Sequence, residues 1–253
     1  MAFVTINAMF FESRIDTIQE RGERKGPFVV EFAGSPSFVT DKFVKVWGDY
    51  LEEFHVNYKG YQGTSFPDLN TAEDVFMHVR ESIDRLRVID TSPHPSFLLG
   101  GSIFEEMAYL QYCLKKNLIT EHEAEVYQNL LRLYAPRVDF VMLTLLSPKT
   151  SLSEHYSSKL TLEGHDEGNE PITYVMQATG EKAYAFALSN LHLFNDCCRD
   201  TLSIEAHLFQ RIHLVDFTDS TGSLGDIALD LFQEQRKGLS RVYPISPNPI
   251  RLR

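Results

Sequence analysis

Residues 28–53, FVVEFAGSPSFVTDKFVKVWGDYLEE, constrain this chain more than any other stretch. Phe28 to Ala33 is a short apolar run and reads as a buried strand. Gly34 to Val39 reads as a loop. From Thr40 the apolar residues fall at Phe43, Val46, Trp47, Tyr50, Leu51 and Phe54, which is helical spacing. A buried strand that passes through a Gly-led loop into a long amphipathic helix predicts an α/β unit.

Strand, loop and helix in this order form the frame of a phosphate-binding P-loop, G-x-x-x-x-G-K-[ST]. In a working loop the second Gly lets backbone N–H groups close around phosphate. The Lys neutralises the β/γ-phosphates and the hydroxyl holds Mg²⁺. Counting from Gly34 through Ser35, Pro36, Ser37 and Phe38, the second Gly is replaced by Val39, the Lys by Thr40 and the Ser/Thr by Asp41, with Lys42 next. The frame of the loop is kept and its phosphate chemistry is erased.

At 253 residues the chain is long enough for one large α/β domain. Its net charge of −11 disfavours nucleic acid as a partner, because that binding is driven by basic patches. No apolar run approaches the roughly 20 residues that span a membrane, and the N-terminus lacks a signal-peptide layout. Cys113, Cys197 and Cys198 do not make a disulfide framework, so a reducing cytoplasm is the expected setting. The adjacent pair Cys197-Cys198 near His192 lacks the spaced ligands of a zinc site and reads as core packing. No metal site is expected.

Residues 1–26 read as an N-terminal appendage, residues 27–238 as the α/β domain and residues 239–253 as a Pro-rich extended tail. Within the appendage, Phe3, Val4, Ile6, Met9, Phe10 and Phe11 predict docking on the domain or on a partner. Phe54 to Tyr58 is the expected second strand, followed by a loop over Gly60 to Pro67. Asn70-Thr-Ala-Glu73 is a capping signal for a helix through Val75, Phe76, Val79, Ile83 and Leu86. Phe97-Leu-Leu99 is a short buried strand that ends in Gly100-Gly101-Ser102. A helix over Ile103 to Lys116 follows, and Thr120-Glu-His-Glu123 caps the next. Val138 to Leu146 is the longest apolar run and the expected central strand. Pro148 opens a polar helix to Leu160, and Ile172 to Cys198 is a long helical stretch. Arg211 to Thr218 is the last strand, and Ser223-Leu-Gly-Asp226 opens the last helix. The alternation predicts a parallel sheet with helices on both faces. Its crevice should lie at the strands' carboxyl ends, near Gly34–Lys42 and Gly100–Ser102.

Over roughly residues 28–235 the chain resembles the thymidylate kinase and deoxynucleoside kinase branch of P-loop kinases. Glu31-Phe-Ala-Gly34 and the helix after it match that family's first strand and helix. Ser96 to Tyr109 resembles its strand, Asp-Arg pair, Gly and helix. Asn117-Leu-Ile-Thr-Glu-His-Glu123 resembles its G-x-I-[ST]-x-E-E turn. Val138 to Lys149 resembles the strand and Ser-Pro that precede its lid. Phe217-Thr-Asp-Ser and Leu224 to Phe232 resemble its last strand and helix. The resemblance implies a three-layer fold with a five-stranded parallel sheet of order 2-3-1-4-5, and it implies a dimer through helices flanking the sheet.

The family's functional residues do not carry over. The loop Lys falls on Thr40, the Asp-Arg pair on Gly100-Gly101 and the lid Arg on Glu154. An Arg clamp on a transferring phosphoryl supplies charge stabilisation worth orders of magnitude in rate, and here that clamp is anionic. Rescue would need Lys42 or Lys45 as the cation, Glu31 or Asp139 for Mg²⁺, and His155 near phosphate. Lys42 and Lys45 also read as solvated helix residues, Asp139 as a strand-end polar group and His155 as an exposed lid residue. The expected function is a catalytically degenerate kinase-like protein, without cofactor, that serves as a binding, regulatory or structural subunit with a protein partner or as a homo-oligomer. An atypical ATP/Mg²⁺ phosphotransferase is the alternative. A nucleoside sensor that stacks a base on Phe66, Phe104, Tyr109 or Tyr112 is a third reading.

Overall fold

The computed structural model describes residues 27–34, 37–53, 59–61, 72–151 and 190–242. Predicted features on Phe3 to Lys25, Phe66, Glu154, His155 and the Pro-rich tail from Tyr243 lie outside these residues.

The elements run β1 (Phe28–Ala33), α1 (Ser37–Glu53), β2 (Lys59–Tyr61), α2 (Ala72–Asp90), β3 (Ser96–Gly100), α3 (Ile103–Lys115) and α4 (Glu121–Tyr134). A 3₁₀ turn (Ala135–Arg137) leads to β4 (Phe140–Leu146). A helix over 190–205, called α5, precedes β5 (Ile212–Phe217) and α6 (Leu224–Leu239). The strands form one sheet in the order β2-β3-β1-β4-β5, with every pairing parallel. Four strands of five to seven residues make its body, and the three-residue β2 lies at the edge.

Side-chain alternation along the strands builds the three layers. On one face Val29, Ala33, Phe97, Leu99, Val141, Leu143 and Leu145 pack with Val75 and Val79 of α2, Met107 of α3, Leu131 of α4 and Phe194 of α5. On the other, Val30, Phe32, Leu98, Phe140, Met142 and Leu146 pack with Trp47 and Leu51 of α1 and Leu231 and Leu239 of α6. A strand covered on both sides gains nothing from polar positions, so β4 is buried at all seven residues.

Several local expectations shift. The described second strand is Lys59–Tyr61, while Phe54 to Tyr58 lies outside the described residues. Gly60 and Tyr61, expected in a loop, pair with Leu98 and Leu99 because β3 offers them an open ladder. Strand β4 is a central strand as expected, paired with β1 on one side and β5 on the other. Helix α5 continues past Cys198 to residue 205. Two capping boxes form where the sequence places them. Thr120 and Glu123 cap α4, and Ser223 and Asp226 cap α6.

Candidate functional site at the carboxyl end of the sheet

Strand β1 ends at Gly34, whose φ of +95° lies in the region that glycine alone enters freely. A Cβ here would sit 2.5 Å from Leu143 Cδ1 and 2.8 Å from the Thr144 carbonyl oxygen. This glycine of the loop frame is therefore required by the backbone.

The expected loop over Gly34 to Val39 is corrected. Helix α1 already begins at Ser37, so Ser37, Phe38 and Val39 are helical. The physical reason is the missing second glycine. Nothing between Ser37 and Thr40 breaks a helix, and Pro36 stands just ahead of its start, where proline is tolerated. Thr40, at the position of the phosphate-binding Lys, is fully buried within α1. Lys42 is half-buried and Lys45 is exposed on the same helix.

The second glycine-bearing turn follows β3. Gly100 pairs with Phe32 across the sheet, and the Gly101 N–H donates to the Phe32 carbonyl at 2.8 Å. Gly101 has a φ of +70°. Its carbonyl accepts from Arg85 Nη1 of α2 at 3.2 Å. The positions aligned with an Asp-Arg pair thus hold two strand ends together through backbone bonds alone.

The turn after β3 delivers α3 to a buried carboxylate. Glu31, in the middle of β1, is fully buried. Its Oε1 accepts from the N–H groups of Ser102 and Glu105, both at 2.9 Å, and its Oε2 from Phe104 N–H at 3.1 Å. Ser102, the N-cap residue, makes no side-chain cap. Glu31 therefore caps α3 from a neighbouring strand, with its charge against the positive end of the helix. Burial pushes its pKa up from 4.5 to about 7, with the backbone donors pulling it down and Glu106 pushing it up. Both oxygens of Glu31, a Mg²⁺ ligand only under the rescue reading, are engaged by the protein.

Around it stand further polar groups. Glu105 Oε2 accepts from the Gly34 N–H at 3.3 Å. Glu106, nearly buried, accepts from Ser82 Oγ of α2 at 3.1 Å and lies 3.8 Å from His78 Nδ1. On the β4–β5 side of the same end, Asn195 Nδ2 donates to the Leu146 carbonyl at 2.9 Å and Thr150 Oγ1 to the Gly222 carbonyl at 2.6 Å. Arg199 Nη2 donates to Asp216 Oδ2 at 3.2 Å and to Thr218 Oγ1 at 2.9 Å.

Other candidates fall elsewhere. Asp139 sits at the amino end of β4, where its Oδ2 accepts from Val29 N–H at 2.7 Å. That is the amino end of the sheet, away from Gly34 and Gly101, and it removes Asp139 as a metal ligand at the carboxyl end. Phe104, Tyr109 and Tyr112 are buried in the core. Phe104 packs edge-on to Phe209 with centroids 5.6 Å apart, and Tyr109 stacks on Tyr112 at 5.7 Å. The three thiols are free and buried, and burial pushes Cys113 up to about 12, Cys197 up to about 11 and Cys198 upward as well. Among the described residues no group of three or more His, Cys, Asp or Glu side chains is placed to hold a metal ion. Among them, too, no helix is long and apolar enough to cross a membrane.

Sequence reasoning missed Glu105, Glu106, Arg85 and the capping role of Glu31. One signal was present: a carboxylate inside an apolar strand must find donors when it is buried.

No family model matches the chain, and no curated protein matches it. Solved structures do. Deoxyadenosine kinase from M. mycoides with bound dATP superposes with a TM-score of 0.51 at 9% identity, covering 85% of this chain and 99% of that one. The same kinase with products dCMP and a flexible dCDP bound gives a TM-score of 0.47 at 10% identity, covering 87% of this chain and 100% of that one. The first likeness, with the parallel sheet and its flanking helices, shows that this chain has an α/β fold like that of the deoxynucleoside kinases.

Proposed function

We propose that this chain is a degenerate member of the nucleotide-kinase fold, working as a binding, regulatory or structural subunit rather than as a phosphotransferase. One observation carries the reading. The residue at the position of the phosphate-binding Lys is Thr40, and it is buried inside a helix that starts before the loop has run its length. A P-loop works because several backbone N–H groups converge on the anion while a Lys closes the cage. Val39 resists the positive-φ conformations such a loop uses, and Thr40 offers one hydroxyl and no charge. Glu154 at the lid position and Gly100-Gly101 at the Asp-Arg position support the same reading. The kept Gly34 turn favours the alternative, an unorthodox kinase that uses ATP and Mg²⁺.

Support for a protein partner or a second copy comes from the outer face of α2 and α4. Leu133 and Val126 of α4 and Phe76 and Val88 of α2 are exposed, Leu133 at 75%. The two helices are joined by the Phe76–Tyr127 ring contact and by Arg87 Nη2 donating to the Tyr134 hydroxyl, and the Arg137–Asp90 ion pair ties the 3₁₀ turn after α4 to the end of α2. In this reading residues 1–26 and the Pro-rich tail from Tyr243 join that assembly; Leu239, expected to open the tail, instead closes α6 and is fully buried. Light scattering should give a mass above one chain, or partner chains should co-purify.

Titration calorimetry of the full chain against ATP, GTP and nucleosides with Mg²⁺ decides between the two readings. Wild type should bind no triphosphate, and the triple change Val39→Gly, Thr40→Lys, Asp41→Thr should gain binding. Micromolar ATP binding by wild type, abolished by Lys42→Ala, would overturn the degenerate reading.

A further inference from the structure

We propose that Glu105 is a built-in anion that closes the crevice between β1 and β3 to external phosphate. The proposal rests on the degenerate reading and names the side chain that enforces it.

An acidic residue at the third position of a helix ordinarily returns its carboxylate to the N–H of its own N-cap residue. Two other helices do this. Glu123 Oε2 accepts from Thr120 N–H at 2.8 Å, and Asp226 Oδ2 from Ser223 N–H at 2.7 Å. Glu105 holds the same position in α3, three residues after the N-cap Ser102. There the N-cap N–H is already taken, because Ser102 donates to Glu31. The backbone N–H of Glu105 is also held by Glu31. With its local donor occupied from β1, the Glu105 side chain reaches across to β1, and its Oε2 accepts from the Gly34 N–H. Gly34 is the first residue of the erased phosphate loop.

The path of this side chain is built in. It lies over Gly101, where a Cβ would come within 2.7 Å of Glu105 Oε1. Only the absence of a side chain at residue 101 leaves room for the carboxylate to lie there. The nearby guanidinium of Arg85 is turned to the Gly101 carbonyl. An incoming phosphate would therefore meet the half-buried Glu105 carboxylate at the first N–H of the loop, with the buried Glu31 behind it. In the crevice of a chain with net charge −11, like-charge repulsion at this contact excludes the ligand.

The test is titration calorimetry of the full chain with inorganic pyrophosphate. It compares wild type, Glu105→Gln, Glu105→Ala and, as a control at the third position of another helix, Glu123→Gln. Fluorescence of Trp47, the only tryptophan, reports that each variant is folded. Wild type and Glu123→Gln should show no binding in the millimolar range. Both Glu105 variants should bind at least about tenfold more tightly than wild type. Folded Glu105 variants that bind no pyrophosphate would overturn the proposal and leave the degenerate reading standing. An equal gain in Glu123→Gln would overturn it too, as a general effect of lost negative charge. Wild-type binding as tight as that of the variants would overturn both.

Discussion

Two strand-to-helix turns stand side by side at the carboxyl end of the sheet. One runs from β1 through Gly34 into α1, the other from β3 through Gly101 into α3. Each has a glycine at positive φ, and each feeds a helix packed on the sheet. They differ in what satisfies their amide donors. The β3 turn presents three N–H groups, and a fully buried carboxylate from β1 fills them. The β1 turn presents Gly34 N–H, and a half-buried carboxylate from α3 accepts it. The two turns exchange anions, β1 giving Glu31 to α3 and α3 giving Glu105 back to β1. Adjacent strand-to-helix turns can thus satisfy each other's amide donors with side-chain carboxylates.

The largest break in this pair should come from Gly34→Ala. The substitution forces an L residue to φ +95° and drives its Cβ against a backbone carbonyl 2.8 Å away, which cannot rotate aside. A loss of about 4 kcal/mol is expected, at the upper end for a single substitution. Urea unfolding followed by Trp47 fluorescence measures it. The indole is stacked on Phe232 at 4.2 Å and donates to Gln235 Oε1 at 2.7 Å, so it reports native packing. A midpoint within error of wild type would show that the turn does not need its glycine.

The next effect separates the two carboxylates by pH. Glu31 is raised from 4.5 to about 7 in the folded chain, chiefly by burial. Between those values the folded state holds a proton that the unfolded state has released, so stability falls as pH rises from 4.5 to 7 and is level above. The interval corresponds to about 3 kcal/mol. His213 works in the opposite direction, because burial lowers its pKa and the unfolded state binds the proton more readily. Glu31→Gln cancels the first contribution and keeps the second. The stability of wild type relative to this variant should therefore fall by about 3 kcal/mol from pH 5 to pH 8. A difference that stays constant across that range would place the Glu31 pKa near its ordinary value.

Much of the fold was legible because it rests on short-range rules. Apolar runs marked β1, β3 and β4, and Thr120–Glu123 and Ser223–Asp226 marked helix starts by their own chemistry. The start of α1 was misplaced because a motif template assigned a loop to residues that have no reason to leave a helix. The site was less legible, because its bonds span large separations in sequence. Glu31 and Ser102 lie 71 residues apart, as do Gly34 and Glu105. No periodicity or spacing announces such pairs. Asp139 shows the same limit, since its bond to Val29 crosses 110 residues and put it at the wrong end of the sheet for the role considered.

The smallest expected effect is also the one that sharpens the comparison most. Gly101→Ala carries a similar backbone penalty at φ +70°, but what its Cβ meets is the Glu105 carboxylate at 2.7 Å, the far end of a flexible side chain. That group can move, so the cost should be about 1–2 kcal/mol, well below that of Gly34→Ala. The displaced carboxylate would have to give up its place over Gly101, which couples the two residues. In a double-mutant cycle, Glu105→Ala should therefore lower the cost of Gly101→Ala to the backbone strain alone, by at least about 0.5 kcal/mol. Urea midpoints of the four proteins supply the cycle. Strict additivity would mean that Gly101 and Glu105 do not share the space between β1 and α3, and the glycine would then be explained by its backbone angle without reference to the anion beside it.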